Sequence, residues 1–191
     1  MRGPARTIEF AQEWAGAVAV ASSWAVLYGW RAYAGHASLH TNAYDLSVFD
    51  YALWNTWHGR VGFVPFFGYT IFAQHFMPVL LLLAPVYALW PNTGFLIAIQ
   101  TGAVAGASLL FFAMARRFGL AKPAALALMV VLLLSRRSHS AEVSYFYPES
   151  LQPALMFGMI LAWISDRWRA FWIATILLLA TKEDMPLYVG A

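Results

Sequence analysis

The chain has 191 residues, of which 61% are hydrophobic, 17% aromatic and only 11% charged, with a mean hydropathy of +0.61. So little charge cannot solvate the surface of an ordinary soluble domain, and the composition reads as an integral membrane protein with several helices. The net charge of +3 lies in no basic tract and cysteine is absent, which excludes a nucleic-acid binder, disulfides and thiolate metal sites.

In chain order, Arg2 and Arg6 precede an apolar run from Trp14 to Tyr33. Glu9 and Glu13 sit where a secretory signal would be basic, so the run reads as a retained signal-anchor helix, about Ala11–Tyr33. A polar and aromatic loop follows, Ala34 to about Gln74. The segment "HFMPVLLLLAPVYALWP", His75 to Pro91, is apolar but only 17 residues long. Pro78 suits a first turn, whereas Pro85 removes an interior hydrogen bond, so the segment predicts an interfacial or re-entrant helix rather than a span. Phe95 to Ala115 predicts a full span ending in "RRFGLAK", and its Gly102 and Gly106 suit close helix packing. Ala121–Ser135 and Leu151–Ile164 hold about 14–15 residues each. Such helices reach about 21–22 Å, against a hydrocarbon core of about 30 Å. Stopping short on one side, they imply a cavity, because irregular backbone at membrane depth needs protein or water beside it. Without a repeat or linker, residues 1–191 read as one domain: a first span at 11–33, an outer loop with surface helices at 34–91, and further spans at 93–191. The last residues, "MPLYVGA", stop inside an apolar run, as the N-terminal part of a longer protein would.

Basic residues set the expected orientation. With a cytoplasmic N-terminus and a non-crossing His75–Trp90, seven fall inside: Arg2, Arg6, Arg116, Arg117, Lys122, Arg167 and Arg169. Five fall outside: Arg31, Arg60, Arg136, Arg137 and Lys182. The expected place is therefore the cytoplasmic (inner) membrane, crossed several times, with most acidic side chains on the outer face.

Three stretches carry candidate chemistry. In "TKEDMP", Lys182, Glu183 and Asp184 interrupt an apolar segment that runs from Ala170 to Ala191. Charges inside a span are costly and usually serve a function. The plain alternative has Asp184 capping a helix with Pro186 in its first turn and Lys182 paired to a local carboxylate. In "YDLSVFDYALWNTWHG", Asp45 reads either as an N-cap or, with Asp50, as one of two carboxylates facing a common site. Helical spacing sets the two about 140° apart. Two carboxylates suit a divalent cation such as Mg²⁺ or Mn²⁺, or one serves as a general base. The plain alternative puts Phe49, Leu53, Trp54 and Trp57 of an interfacial helix against lipid headgroups. In "RRSHSAEVSYFYPES", Arg136 and Arg137 either snorkel or grip a phosphate, and Glu149 starts a helix, where the dipole favours it. His75 is a further candidate ligand. No Walker loop, dinucleotide fingerprint, His-Glu-x-x-His pair or serine nucleophile elbow is present.

The ordered set "YDLSVFDYALWN", "HFMPVLLLLAPVYALWP", "YPESLQPAL" and "KED" resembles a bacterial membrane-protein family, domain of unknown function 2079, over about residues 42–190. That family in turn is similar to the C-type glycosyltransferases, polytopic enzymes that take sugars from polyprenyl-phosphate donors. The resemblance implies an all-α transmembrane bundle with Asp45 and Asp50 in a catalytic outer loop and His75–Trp90 as a surface helix. The family usually reads Phe-Asp-Phe-His-Pro-Glu where this chain has Tyr145, Phe146, Tyr147, Pro148 and Glu149, without the Asp or the His.

The expected function is inverting transfer of a sugar from a polyprenyl-phosphate donor within the lipid bilayer, with no nucleic-acid partner. Asp45 or Asp50 acts as base or holds a metal. His75, Arg136, Arg137, Glu149, Lys182, Glu183 and Asp184 bind substrate: Lys182 with Arg136 or Arg137 neutralises the leaving phosphate, and Glu149, Glu183 and Asp184 bind sugar hydroxyls or position the base. The alternative is a non-catalytic transporter or envelope-assembly partner, with Lys182 and Asp184 lining a path.

Overall fold

The computed structural model describes residues 4–40, 43–135, 138 and 146–190. Arg136, Arg137 and His139 lie outside the described residues. The described residues are all-helical apart from one hairpin of two-residue strands. In order, the helices are α1 (Pro4–Ala37), α2 (Ala43–Trp57), α3 (Val79–Tyr87), α4 (Thr93–Arg117), α5 (Lys122–Leu133), α6 (Gln152–Trp163), α7 (Trp168–Leu179) and α8 (Met185–Val189). Between α2 and α3, β1 (Phe63–Val64) pairs antiparallel with β2 (Tyr69–Thr70), Phe63 opposite Thr70.

Among the described residues, one helix is both long and apolar enough to cross a membrane: α4, with 25 residues. Its start is fixed by Asn92, whose side-chain oxygen accepts from the Gly94 amide at 2.7 Å. It stops where Gly119 takes φ +83° and its amide turns back to Arg116 O at 3.1 Å. Helix α1 is longer, 34 residues, but Trp, Ser and Gly dilute its apolar stretch. It spans about 51 Å, well beyond the Ala11–Tyr33 expected. Helices α5, α6 and α7 have 12 residues each, hence about 18 Å. Helix α3 has nine, about 13 Å, with Pro78 just before it and Pro85 inside.

Two apolar cores divide the molecule. In the first, Ala17, Ala21 and Trp24 of α1 meet Phe112 and Ala115 of α4 and Ala125, Met129 and Leu133 of α5. At its end Glu13 pairs with Arg116 at 2.5 Å, and the Lys122 ammonium donates to Gln12 O at 2.7 Å. In the second, Leu46, Phe49 and Leu53 of α2 meet Val64, Met77, Leu80, Tyr87, Phe95 and Phe146. The start of α4 thus anchors the loop region, while its end holds α1 and α5. Helices α6 and α7 pack on each other, and α6 lies against α4.

Three expectations need correction. Phe49 and Leu53 do not face lipid headgroups: they are 4% and 0% exposed, because the loop builds its own core, and only Trp54 and Trp57 are outward. Gly102 and Gly106 make no close packing among the described residues, since no neighbouring element comes within 4 Å of where a Cβ would sit. Asp45 is not an N-cap, because α2 already begins at Ala43 and Asp45 lies in its first turn.

Candidate functional site

Helix α7 stops at Leu179 and α8 starts at Met185, so Lys182, Glu183 and Asp184 occupy a break between two apolar helices. The break is built from three parts of the chain. The Val79 amide, at the start of α3, donates to Ala180 O at 2.9 Å. Gln152, at the start of α6, donates through Nε2 to Thr181 Oγ1 at 3.1 Å, and buried Thr181 donates to Leu178 O at 2.7 Å. The carbonyls and hydroxyl exposed by ending a helix early are therefore satisfied by neighbours rather than by solvent.

Around this backbone the charges converge. Lys182 Nζ lies 2.9 Å from Glu149 Oε1 and 4.0 Å from Asp184 Oδ2. The side chains of Lys182 and Glu149 are each only 26% exposed, so the pair is partly shielded. Glu183 points the other way. Its carboxylate takes His75 Nδ1 at 3.0 Å on one oxygen and the Phe76 amide at 3.0 Å on the other. Three atoms here are buried with no hydrogen-bond partner among the described residues: Glu149 Oε2, Ser150 Oγ and Asp184 Oδ1. Asp184 stands at the N-cap of α8 but its side chain makes no capping bond. The plain reading of Asp184 as a cap therefore fails at its defining interaction.

The structure thus joins five of the sequence candidates: His75, Glu149, Lys182, Glu183 and Asp184. Asp50 belongs to a different constellation. Its Oδ1 accepts the Tyr87 hydroxyl at 2.7 Å. Burial pushes the Asp50 carboxyl above the ordinary value of 3.8, offset in part by the Tyr87 bond and by nearby His36. Burial and the Asp50 acceptor likewise push the Tyr87 phenol up. His36, at the end of α1, bonds through Nε2 with Thr93 Oγ1 of α4 at 2.9 Å. Asp50 therefore helps tie α2 to α3, beside a contact joining α1 to α4.

Asp45 lies one turn before Phe49, on the same side of α2 by helical spacing. The Phe49 ring meets Phe146 at 5.4 Å and Tyr147 at 6.1 Å between centroids. Those two residues lead directly into Pro148 and Glu149, so the Asp45 side of α2 adjoins the strand of chain that delivers Glu149. Among the described residues, no group of three or more His, Asp or Glu side chains is arranged to hold a metal ion. The cation anticipated between Asp45 and Asp50 gains no third ligand there, and Asp50 is already engaged.

Sequence reasoning missed Tyr87, Gln152, Thr181 and Ser150. Tyr87 had a signal: a phenol inside an apolar segment needs a buried partner. Gln152 and Thr181 had none, since their side chains meet across distant parts of the chain, and Ser150 is marked only by its place beside Glu149.

Residues 35–191 match the family model described as "Predicted membrane protein (DUF2079)". The chain belongs to this family. No curated protein and no solved structure matches the chain significantly. Membership in DUF2079 gives the break its physical setting, because a charged turn between apolar helices is costly in a membrane protein unless something polar meets it.

Proposed function

We propose that this DUF2079 protein is a membrane glycosyltransferase that uses a polyprenyl-phosphate-linked sugar at the outer face of the cytoplasmic membrane. The observation that carries the reading is the convergence of Lys182, Glu149 and Asp184 at a helix break, with buried carboxylate and hydroxyl oxygens that have no partner among the described residues. The chain crosses the membrane several times with its N-terminus inside, and α2, α3 and the hairpin lie on the outer surface. The donor enters sideways between the short helices.

The transfer is inverting. An acceptor hydroxyl oxygen attacks the anomeric carbon as the bond from that carbon to the phosphate oxygen breaks. The hydroxyl proton passes to a carboxylate, and polyprenyl phosphate leaves. Asp45 is the preferred base. It lies one helical turn from Phe49, whose ring meets Phe146 ahead of Glu149, whereas Asp50 already accepts from Tyr87. Asp50 then acts as a positioning residue for α2. Arg136 and Arg137 supply charge for the leaving phosphate.

The test is transfer from radiolabelled polyprenyl-phospho-sugars in membranes containing the protein. Asp45→Asn lowers transfer by roughly 10²-fold or more, and Asp50→Asn far less. Full activity in both variants would sink the assignment. The broken helix α7–α8 favours a second reading, transport, since broken helices bind solutes in transporters. Solute uptake that depends on Lys182, without any sugar transfer, would select it.

A further inference from the structure

The cluster at the break has a charge balance that restricts what it can receive. Lys182 is the positive member, and it faces two carboxylates, Glu149 at 2.9 Å and Asp184 at 4.0 Å. The third neighbouring carboxylate, Glu183, is turned away and held by His75 and the Phe76 amide. Among the described residues Lys182 thus carries one charge against two, and its ammonium is already paired with Glu149. A phosphodiester that approached it would meet net negative charge, and to reach the ammonium it would have to displace Glu149. That would leave a shielded carboxylate unpaired, which is strongly unfavourable.

The same cluster has the opposite property toward neutral donors. Glu149 Oε2, Asp184 Oδ1 and Ser150 Oγ are buried and accept nothing among the described residues. Buried acceptors without donors are costly, and a ligand hydroxyl removes that cost without adding charge. Serine adds a hydroxyl that can donate or accept. A polyol fits such a set; a phosphate does not. A metal ion fits poorly as well, because the ammonium stands among the carboxylates.

We propose that Glu149, Ser150 and Asp184, held in place by Lys182, form the subsite for the donor's sugar hydroxyls, and that the lipid phosphate binds outside it. This rests on the glycosyltransferase reading and divides the donor between two places. Lys182 is a positioning residue that fixes two carboxylates, not the counter-ion of the leaving phosphate. The phosphate falls to other cations, of which Arg136 and Arg137 are the candidates.

The experiment compares sugar-free and sugar-bearing lipids on the intact protein in nanodiscs, followed by intrinsic tryptophan fluorescence. The probes are decaprenyl phosphate and a panel of decaprenyl-phospho-hexoses and -pentoses. At least one sugar-bearing lipid binds the unaltered protein more tightly than decaprenyl phosphate. Glu149→Gln and Asp184→Asn each weaken that lipid by roughly tenfold or more, the loss of a charged hydrogen bond. Both leave decaprenyl phosphate within about threefold or tighten it, because a competing negative charge is gone. Asp184→Asn guards against misfolding, since Asp184 lies farther from Lys182 than Glu149 does and its loss disturbs the ion pair less. The inference is overturned if Lys182→Gln weakens decaprenyl phosphate tenfold or more, or if neither carboxylate variant discriminates between the lipids. It is also overturned if no sugar in the panel adds affinity. Those results leave the transfer reaction and the role of Asp45 standing. A folded protein that binds neither kind of lipid removes the glycosyltransferase reading as well.

Discussion

Replacing Tyr87 by Phe isolates the contribution of the Asp50–Tyr87 bond. Tyr87 is 1% exposed and its hydroxyl donates to Asp50 Oδ1 at 2.7 Å. A hydrogen bond to a charged acceptor contributes about 1.5–3 kcal/mol. The carboxylate is only half-buried, so water recovers part of the loss, and the expected cost of Tyr87→Phe is about 1.5–2 kcal/mol. Asp50→Ala leaves the phenol orphaned in the core and costs about as much. Asp50→Asn keeps an acceptor oxygen and removes a charge that burial disfavours, so it changes stability by less than about 0.5 kcal/mol at acidic pH. The carboxyl value is raised from 3.8 in the fold, so the folded chain holds this proton more tightly than the unfolded one. The stability it contributes is complete below the unfolded value and is lost as pH rises through the folded one. The unaltered protein therefore weakens relative to Asp50→Asn as pH rises from about 3.8 toward neutrality. Reversible unfolding in mixed micelles at several pH values, followed by tryptophan fluorescence, measures these differences. The reasoning fails if Tyr87→Phe costs less than about 0.5 kcal/mol, or if Asp50→Asn is as damaging as Asp50→Ala at every pH.

Three further outcomes follow from the same coordinates. Lys182→Gln leaves Glu149 unpaired and costs about 1–3 kcal/mol, and adding Glu149→Gln restores most of it; a double-mutant cycle by micelle unfolding reads the coupling. Gly62→Ala disrupts the hairpin by about 1–3 kcal/mol, because Gly62 has φ +63° and a Cβ would meet Thr70 Oγ1 at 2.7 Å and the Phe72 ring at 2.9 Å. Gly68→Ala, at φ +75° with open space around it, costs about 1 kcal/mol by the same assay and serves as its control. Glu183→Gln speeds hydrogen exchange at the Phe76 amide by roughly fivefold without changing the global unfolding midpoint, since an exposed pair contributes little beyond its own loop.

How much of this was legible in the sequence depended on whether the signal was local. The long apolar helix over Phe95–Ala115 was readable because length and apolarity alone define it, and Asn92 and Gly119 only trim its ends. The shortness of α5 and α6 was readable too, because polar residues mark where they stop. The faces of α2 were not. Phe49, Leu53, Trp54 and Trp57 look alike in a sequence, and only the hairpin and α3 decide that the first two are covered and the last two are not. The two acids of α2 were separable in principle, since a spacing of five residues puts them on different sides of the helix. What each side meets was not, because Tyr87 and Phe146 come from distant parts of the chain. The glycine pair in α4 misled for the same reason: small residues permit a close approach but do not supply the partner.

The break at 180–184 shows why the loop and the charges belong to one device. A helix that stops early leaves its last carbonyls without intrahelical donors, and each needs a partner from elsewhere. The Val79 amide supplies the donor for Ala180 O. That amide is available because Pro78 immediately precedes α3, so the first turn of the helix begins at Val79 with its N–H uncommitted inside the helix. The segment just ahead of it is held by Glu183, which grips both His75 and the Phe76 amide. The proline-marked start of α3 therefore completes the backbone of the break between α7 and α8, and the acidic residue of the break returns the support. Lys182 and Asp184 are left on the remaining side of the turn, where Glu149 arrives from the start of α6. Removing the loop would strip the break of a donor it cannot replace in an apolar setting. The polar cluster thus depends for its geometry on the segment that opens α3, which gives it His75, the Phe76 amide and the Val79 amide.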